Sequence, residues 1–138
     1  MNKICISRLD RMGDMILSLP SIKAIKIANP NTLIYVLASH RNAKVLKNLN
    51  YIDKTIVINT SSNFSALFNN IFSIRKLNFD FFINLSPTIL SYIFCFFSNS
   101  KYKATLIFFS RYKKSIFSKL FTRLFSKDIE RFYQMIKI

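Results

Sequence analysis

Chemistry is concentrated in one short stretch near the amino terminus. Arg8-Leu9-Asp10-Arg11-Met12-Gly13-Asp14 brings together two guanidinium groups, two carboxylates and the only glycine of the chain. Guanidinium groups hold carboxylates or phosphates by paired hydrogen bonds. A carboxylate can take the proton of an attacking hydroxyl, and a glycine lets the backbone come close to a ligand. The same residues also have a purely architectural reading. Asp14 is a good N-cap for the helix that follows, and Asp10 can simply pair with Arg8 or Arg11. The residue types alone leave both readings open. No G-x-G-x-x-G is present, so the turn has no glycine cradle for a dinucleotide pyrophosphate.

The elements that position this turn are legible in the apolar pattern. Lys3–Ser7 is a short β-branched run and reads as a first strand. After the turn, Ile16, Leu19, Ile22 and Ile27 recur at helical intervals, with Pro20 predicting a kink and Asn29-Pro30-Asn31 a stop. Strands are expected over Thr32–Ala38, Lys54–Ile58, Phe81–Leu85 and Tyr102–Phe109. Helices are expected over Asn42–Asn48, Phe64–Leu77, Thr88–Phe97, Arg111–Phe125 and Asp128–Ile138. The phenylalanine-heavy face of residues 64–77 reads as core. Strand and helix alternate about four times, and the strands are continuous apolar runs. That pattern predicts an α/β domain, a Rossmann-like parallel sheet with helices on both faces. In such sheets ligands meet the carboxyl ends of the strands, which puts residues 8–14 in the right place for chemistry.

The chain has 138 residues, enough for one domain with a real core. Lys and Arg outnumber Asp and Glu 21 to 6, for a net charge of +15. Phe, Tyr, Ile, Asn and Lys together make up 68 of the 138 residues. Their codons are rich in A and T, so part of the basic charge reads as genome bias. With one His and two cysteines, a zinc enzyme has no ligand set. Cys5 and Cys95 read as buried, reduced packing residues, and His40, alone after the second strand, reads as structural. The uncharged run Phe81–Ser98 has the minimum length of a membrane span, but Pro87 divides it into a strand and a helix. Lys101–Arg123 holds seven basic residues and no acid. Within it Ile116, Phe117, Leu120, Phe121, Leu124 and Phe125 share one half of a helix. That helix either covers a core with a basic back or rests on an anionic membrane through Lys113, Lys114, Lys119 and Arg123. No helix-turn-helix, RNA-binding or zinc-finger pattern supports nucleic-acid binding.

The opening KICISRLDRMGDMILSLPSIKAIKIANPN, with TLIYVLASHRNAKVLKNLNYIDKTIVI after it, resembles the heptosyltransferases of lipopolysaccharide synthesis, glycosyltransferase family 9. The resemblance rests on the R-x-D-R-x-G-D turn between strand and helix, on Leu19-Pro20, on Pro30-Asn31 before the second strand, and on Asp53 with Thr55–Ile58. Asn78–Leu85 and Lys127–Ile138 are similar to later family segments, whereas residues 86–126 match weakly. Ala104 and Thr105 stand where the family has a glycine.

The resemblance implies the N-terminal, acceptor-side domain of a two-domain GT-B enzyme. That enzyme transfers heptose from ADP-heptose to an inner-core sugar on lipid A with inversion and without a bound metal. By position, Asp14 matches the general base and Arg8 a basic residue beside it. Asp10, Arg11 and Gly13 would complete the acceptor site. The resemblance also places residue 138 where a donor-binding domain begins. The chain is therefore expected to be a truncated or split domain needing a separate donor domain, at the cytoplasmic surface of the inner membrane. The alternatives are a small basic module on membrane or nucleic acid, and an inactive remnant.

Overall fold

The computed structural model describes residues 2–59 and 63–106. Five strands, β1 (Lys3–Arg8), β2 (Leu33–Ser39), β3 (Lys54–Ile58), β4 (Phe81–Asn84) and β5 (Tyr102–Thr105), form one sheet in the order β3-β2-β1-β4-β5. All neighbouring pairs are parallel. Four helices connect them: α1 (Met12–Ala28), α2 (His40–Ala43), α3 (Phe64–Lys76) and α4 (Ile89–Phe97). The chain winds outward from β1 to β3 and then returns to place β4 on the other side of β1. That reversal makes the gap between the carboxyl ends of β1 and β4 the switch point, where open α/β sheets bind ligands.

Alternation along the strands separates two cores. Ile4 and Ile6 of β1 and Ile34, Val36 and Ala38 of β2 pack with Met15 and Ile22 of α1. On the opposite face Cys5 and Phe82 are buried, with Phe94 and Cys95 of α4 and Ile74 of α3. Phe79 meets Tyr35 and Phe82 edge to face at 5.3 and 6.4 Å. Helices thus cover both faces, as the continuous apolar strands require.

Register is fixed at the amino ends of the strands by two aspartates acting alike. Asp53, just before β3, donates its N–H to the Ile34 carbonyl (2.9 Å) and accepts the Ile34 N–H on Oδ2 (2.7 Å). Asp80, just before β4, does the same with Lys3 (2.9 and 2.8 Å). Lys26 ties the end of α1 to this frame through Asp53 Oδ2 (2.9 Å) and the Thr32 carbonyl (2.7 Å).

Several expectations shift. The first helix begins at Met12 with Arg11 as N-cap, so Asp14 lies in the first turn rather than capping it. Pro20 does lie inside this helix, as expected; having no N–H, it leaves the Ile16 carbonyl without its usual partner. The short helix starts at His40 and makes one turn, because the Ser39 hydroxyl accepts the Asn42 N–H and sets its start. The phenylalanine face of α3 is not core: Phe64, Phe68 and Phe72 are 82%, 67% and 61% exposed. Ile74 supplies the burial, with Leu67, Ile71 and Leu77 half-buried.

Pro87 does divide the uncharged run into β4 and α4, and no helix among the described residues is long and apolar enough to cross a membrane. Cys5 and Cys95 are buried and unbonded. The expected helices Arg111–Phe125 and Asp128–Ile138, the strand residues 107–109, and Lys113, Lys114, Lys119 and Arg123 lie outside the described residues.

Candidate active site at the sheet switch point

Arg8, the last residue of β1, organises the site. Its side chain is 13% exposed. Nη1 donates to the Leu85 carbonyl beyond β4, which ties the two strand ends together. Nε lies 3.2 Å from Asp10 Oδ1, off-line for a hydrogen bond, and Nη2 lies 3.5 Å from Asp14 Oδ1. One guanidinium therefore faces both carboxylates of the turn.

Two buried polar side chains hold the loop from opposite sides. Asn42, in α2, donates through Nδ2 to the carbonyls of Arg8 (2.9 Å) and Asp10 (3.4 Å). Ser86, after β4, accepts the Leu9 N–H (2.6 Å) and donates to Asp10 Oδ1 (3.2 Å). Ser86 is itself fixed: its N–H donates to Asn84 Oδ1 (3.0 Å), and Asn84 Nδ2 reaches Thr105 Oγ1 on β5 (3.0 Å). A capping box between Thr88 and Ser91 then starts α4. Sequence reasoning passed over Asn42, Asn84 and Ser86. The available signal was position: each is polar and ends a strand or lies within three residues after one.

The proposed residues thus divide. Arg8 and Asp10, at 13% and 15% side-chain exposure, are engaged with one another and with the loop. Asp14 is 37% exposed and opens to solvent, with Arg8 as its ionic partner. Arg11 and Gly13 are exposed, and the Arg11 guanidinium has no partner among the described residues. A Cβ added at Gly13 would meet nothing within 4 Å. Neither packing nor a left-handed φ therefore demands glycine there, although glycine costs a helix about 1 kcal/mol relative to alanine. Exposed Met12, Ile16 and Leu17 surround this open turn. His40 is exposed at the end of β2.

The arrangement offers one accessible carboxylate held beside a part-buried cation, at the sheet's ligand-binding end. Solved structures with this fold carry sugar-transfer names. The glycosyl transferase family 9 protein of Veillonella parvula superposes with a TM-score of 0.70 over 80% of this chain, at 20% identity. The fold of this chain is that of the family 9 glycosyltransferases. Escherichia coli heptosyltransferase WaaC with ADP (TM-score 0.64, 75% of this chain, 13% identity) and E. coli ADP-heptose lps heptosyltransferase II (0.63, 76%, 17%) share it. The chain spans 34%, 35% and 30% of these three proteins, about a third of each. No family model and no curated protein sequence matches it.

Proposed function

We propose that this chain is the acceptor-side, N-terminal domain of an inverting, heptosyltransferase-like glycosyltransferase. The observation that carries the reading is the Asp14 carboxylate, open to solvent at the switch point and 3.5 Å from the Arg8 guanidinium. Asp14 takes the proton of the acceptor hydroxyl as its oxygen attacks the anomeric carbon. The bond from that carbon to the nucleotide diphosphate breaks, and the nucleotide leaves with the bonding pair. Asp14 does not act as the N-cap, so no backbone N–H competes for its oxygens through a capping bond. Arg8 holds it in position, and placement of a base at the reacting hydroxyl contributes more than basicity alone. Arg11 and Gly13 face the acceptor, Arg11 toward its acidic groups. Arg8, with Asp10, Asn42 and Ser86, keeps the loop in shape.

The acceptor is a lipid-linked oligosaccharide of lipopolysaccharide core type, and the donor is a nucleotide-sugar such as ADP-heptose. Solved relatives support this choice, since WaaC was captured with ADP and with ADP-2-deoxy-2-fluoro heptose. Donor binding and charge on the leaving diphosphate belong to a second domain, which covers Met12, Ile16 and Leu17 when it closes. No metal enters the scheme, and the enzyme works on the cytoplasmic side of the membrane.

The test is a transfer assay on this domain joined to a donor domain, with ADP-heptose and a lipid-linked core acceptor. Asp14→Ala and Asp14→Asn should each lower kcat by at least about a hundredfold, the low end for a general base, while acceptor affinity stays within a few-fold. Gly13→Ala should raise thermal stability and impair acceptor binding. Undiminished turnover by both Asp14 variants would remove it from the mechanism.

A further inference from the structure

The outer face of α3 is apolar in a way the fold does not use. Phe64, Phe68 and Phe72 recur every four residues and make one stripe, spanning about 12 Å along the helix at 1.5 Å per residue. All three are more than 60% exposed. The solvent-facing positions read Phe64, Ser65, Phe68, Asn69, Phe72, Ser73, with no charge until Arg75 and Lys76 close the helix. A contiguous exposed row of large aromatics marks an interaction surface.

Charge identifies the occupant. The segment from Lys54 to Phe79 holds no acid, and neither does α4. Lys76 Nζ sits 4.5 Å over the Phe72 ring, and Arg75 Nη1 reaches the Phe97 carbonyl (3.4 Å), which brings half-exposed Phe97 into the same neighbourhood. The charges bordering the stripe are therefore cations, on a chain of net charge +15. A second copy would bring like charge against like charge. An anionic phospholipid surface accepts both features at once: the rings enter the headgroup boundary and the cations meet lipid phosphates. The helix also lies correctly for such an enzyme. It follows β3, so Phe64 stands at the carboxyl end of the strands, the end that carries Asp14.

We infer that the Phe64–Phe68–Phe72 face of α3 is a docking surface for an anionic phospholipid bilayer. It is a different stretch of the sequence from the basic segment Lys113–Arg123. The inference stands on this helix and does not require Asp14 to be catalytic.

The chain has no tryptophan, so Phe68→Trp installs a single fluorescent reporter at an exposed position. Vesicles of phosphatidylglycerol and phosphatidylcholine, and of phosphatidylcholine alone, are the probes. With anionic vesicles the indole emission of this variant should shift to the blue and be quenched by brominated acyl chains. Neutral vesicles should leave it unchanged. Phe64→Ser with Phe72→Ser in the same chain should weaken vesicle binding about tenfold or more, since exposed rings lose the transfer energy of insertion. Circular dichroism should be unaltered, as neither ring is in the core. Three outcomes overturn the inference. The serine variant binds anionic vesicles as tightly as the parent. The indole emission is already blue-shifted in the lipid-free monomer, so other residues of this chain cover the stripe. Light scattering finds a dimer that the serine variant dissolves, so a second copy covers it.

Discussion

Arg8→Met should be the most costly single change in the described part of the chain outside its apolar core, and the structure sets the size of the effect. The arginine stem is retained in shape, and the guanidinium is lost. The Asp10 carboxyl group, 15% exposed, is then left with the Ser86 hydroxyl as its remaining partner, and the Leu85 carbonyl loses its donor. Removing one member of a buried ion pair costs about 3–5 kcal/mol, and a stranded carbonyl about 1–3 kcal/mol. The loop end of the sheet is open enough to let some water in, so the lower figure, about 3 kcal/mol, is expected. For a domain of this size that lowers Tm by about 9–15 °C. Asp14→Ala gives the contrast. Its carboxylate is 37% exposed, so the pair with Arg8 contributes about 0–1 kcal/mol. Urea unfolding followed by circular dichroism measures both. Adding Asp10→Asn to Arg8→Met should restore about 1 kcal/mol or more, because the stranded charge is gone. Equal losses for Arg8→Met and Asp14→Ala, or strict additivity in the double variant, would show that Arg8 is solvated and that the site is not built around it.

Two further outcomes concern titrating groups. Burial acts to raise the Asp53 pKa, but the Ile34 N–H and Lys26 outweigh it and hold the carboxyl below the ordinary carboxylate value. Because the folded pKa is the lower one, the stabilisation is complete above about pH 4 and is lost as pH falls through the folded value. Urea midpoints compared between neutral and acid pH should fall less steeply for Asp53→Asn than for the parent; parallel curves would refute this. Burial raises the Cys5 thiol well above its ordinary range, with Cys95 adding to the effect, and raises Cys95 to about 12 despite Lys103 nearby. Both thiols should therefore resist iodoacetamide at mildly alkaline pH in the folded domain and react in urea. Rapid labelling of either without denaturant would contradict the buried placement.

The fold was legible because its signals are long and redundant. Short apolar runs separated by helical spacing specify a parallel sheet whichever end of a run is misplaced by a residue. Pro87 marked its boundary because a proline cannot extend either element without loss of a hydrogen bond. The failures are local choices decided by tertiary contacts. Asp14 had the residue type of an N-cap, yet Arg11 takes that position because the Arg8–Asp10 loop, pinned by Asn42 and Ser86, delivers the backbone to the helix early. The α3 phenylalanines share helical spacing with Ile71 and Ile74, and periodicity alone does not say which of two apolar faces turns inward. Burial answers with the aliphatic face.

Where the chain tolerates poorly satisfied chemistry is informative in itself. Among the described residues, the buried side-chain polar atoms without a hydrogen bond are Ser7 Oγ, Arg8 Nε and Asn42 Oδ1. All three gather at the carboxyl end of β1: Ser7 and Arg8 end the strand, and Asn42 bonds to the Arg8 carbonyl. Ser7 Oγ and Asn42 Oδ1 each cost about 1–3 kcal/mol, Arg8 Nε keeps an ionic contact with Asp10, and native structures hold few such atoms. The same few residues add a helix-destabilising glycine in α1 with open space around it, two carboxylates sharing one guanidinium, and exposed Met12, Ile16 and Leu17. Elsewhere among the described residues polar ends are matched, as at Asp53, Asp80 and the Thr88–Ser91 box. A turn selected only to join β1 to α1 would be relieved of these costs by single substitutions. Among the described residues the unsatisfied polar atoms and the shared guanidinium lie at the switch point and not at the amino ends of the strands, which is what a site kept for a ligand requires.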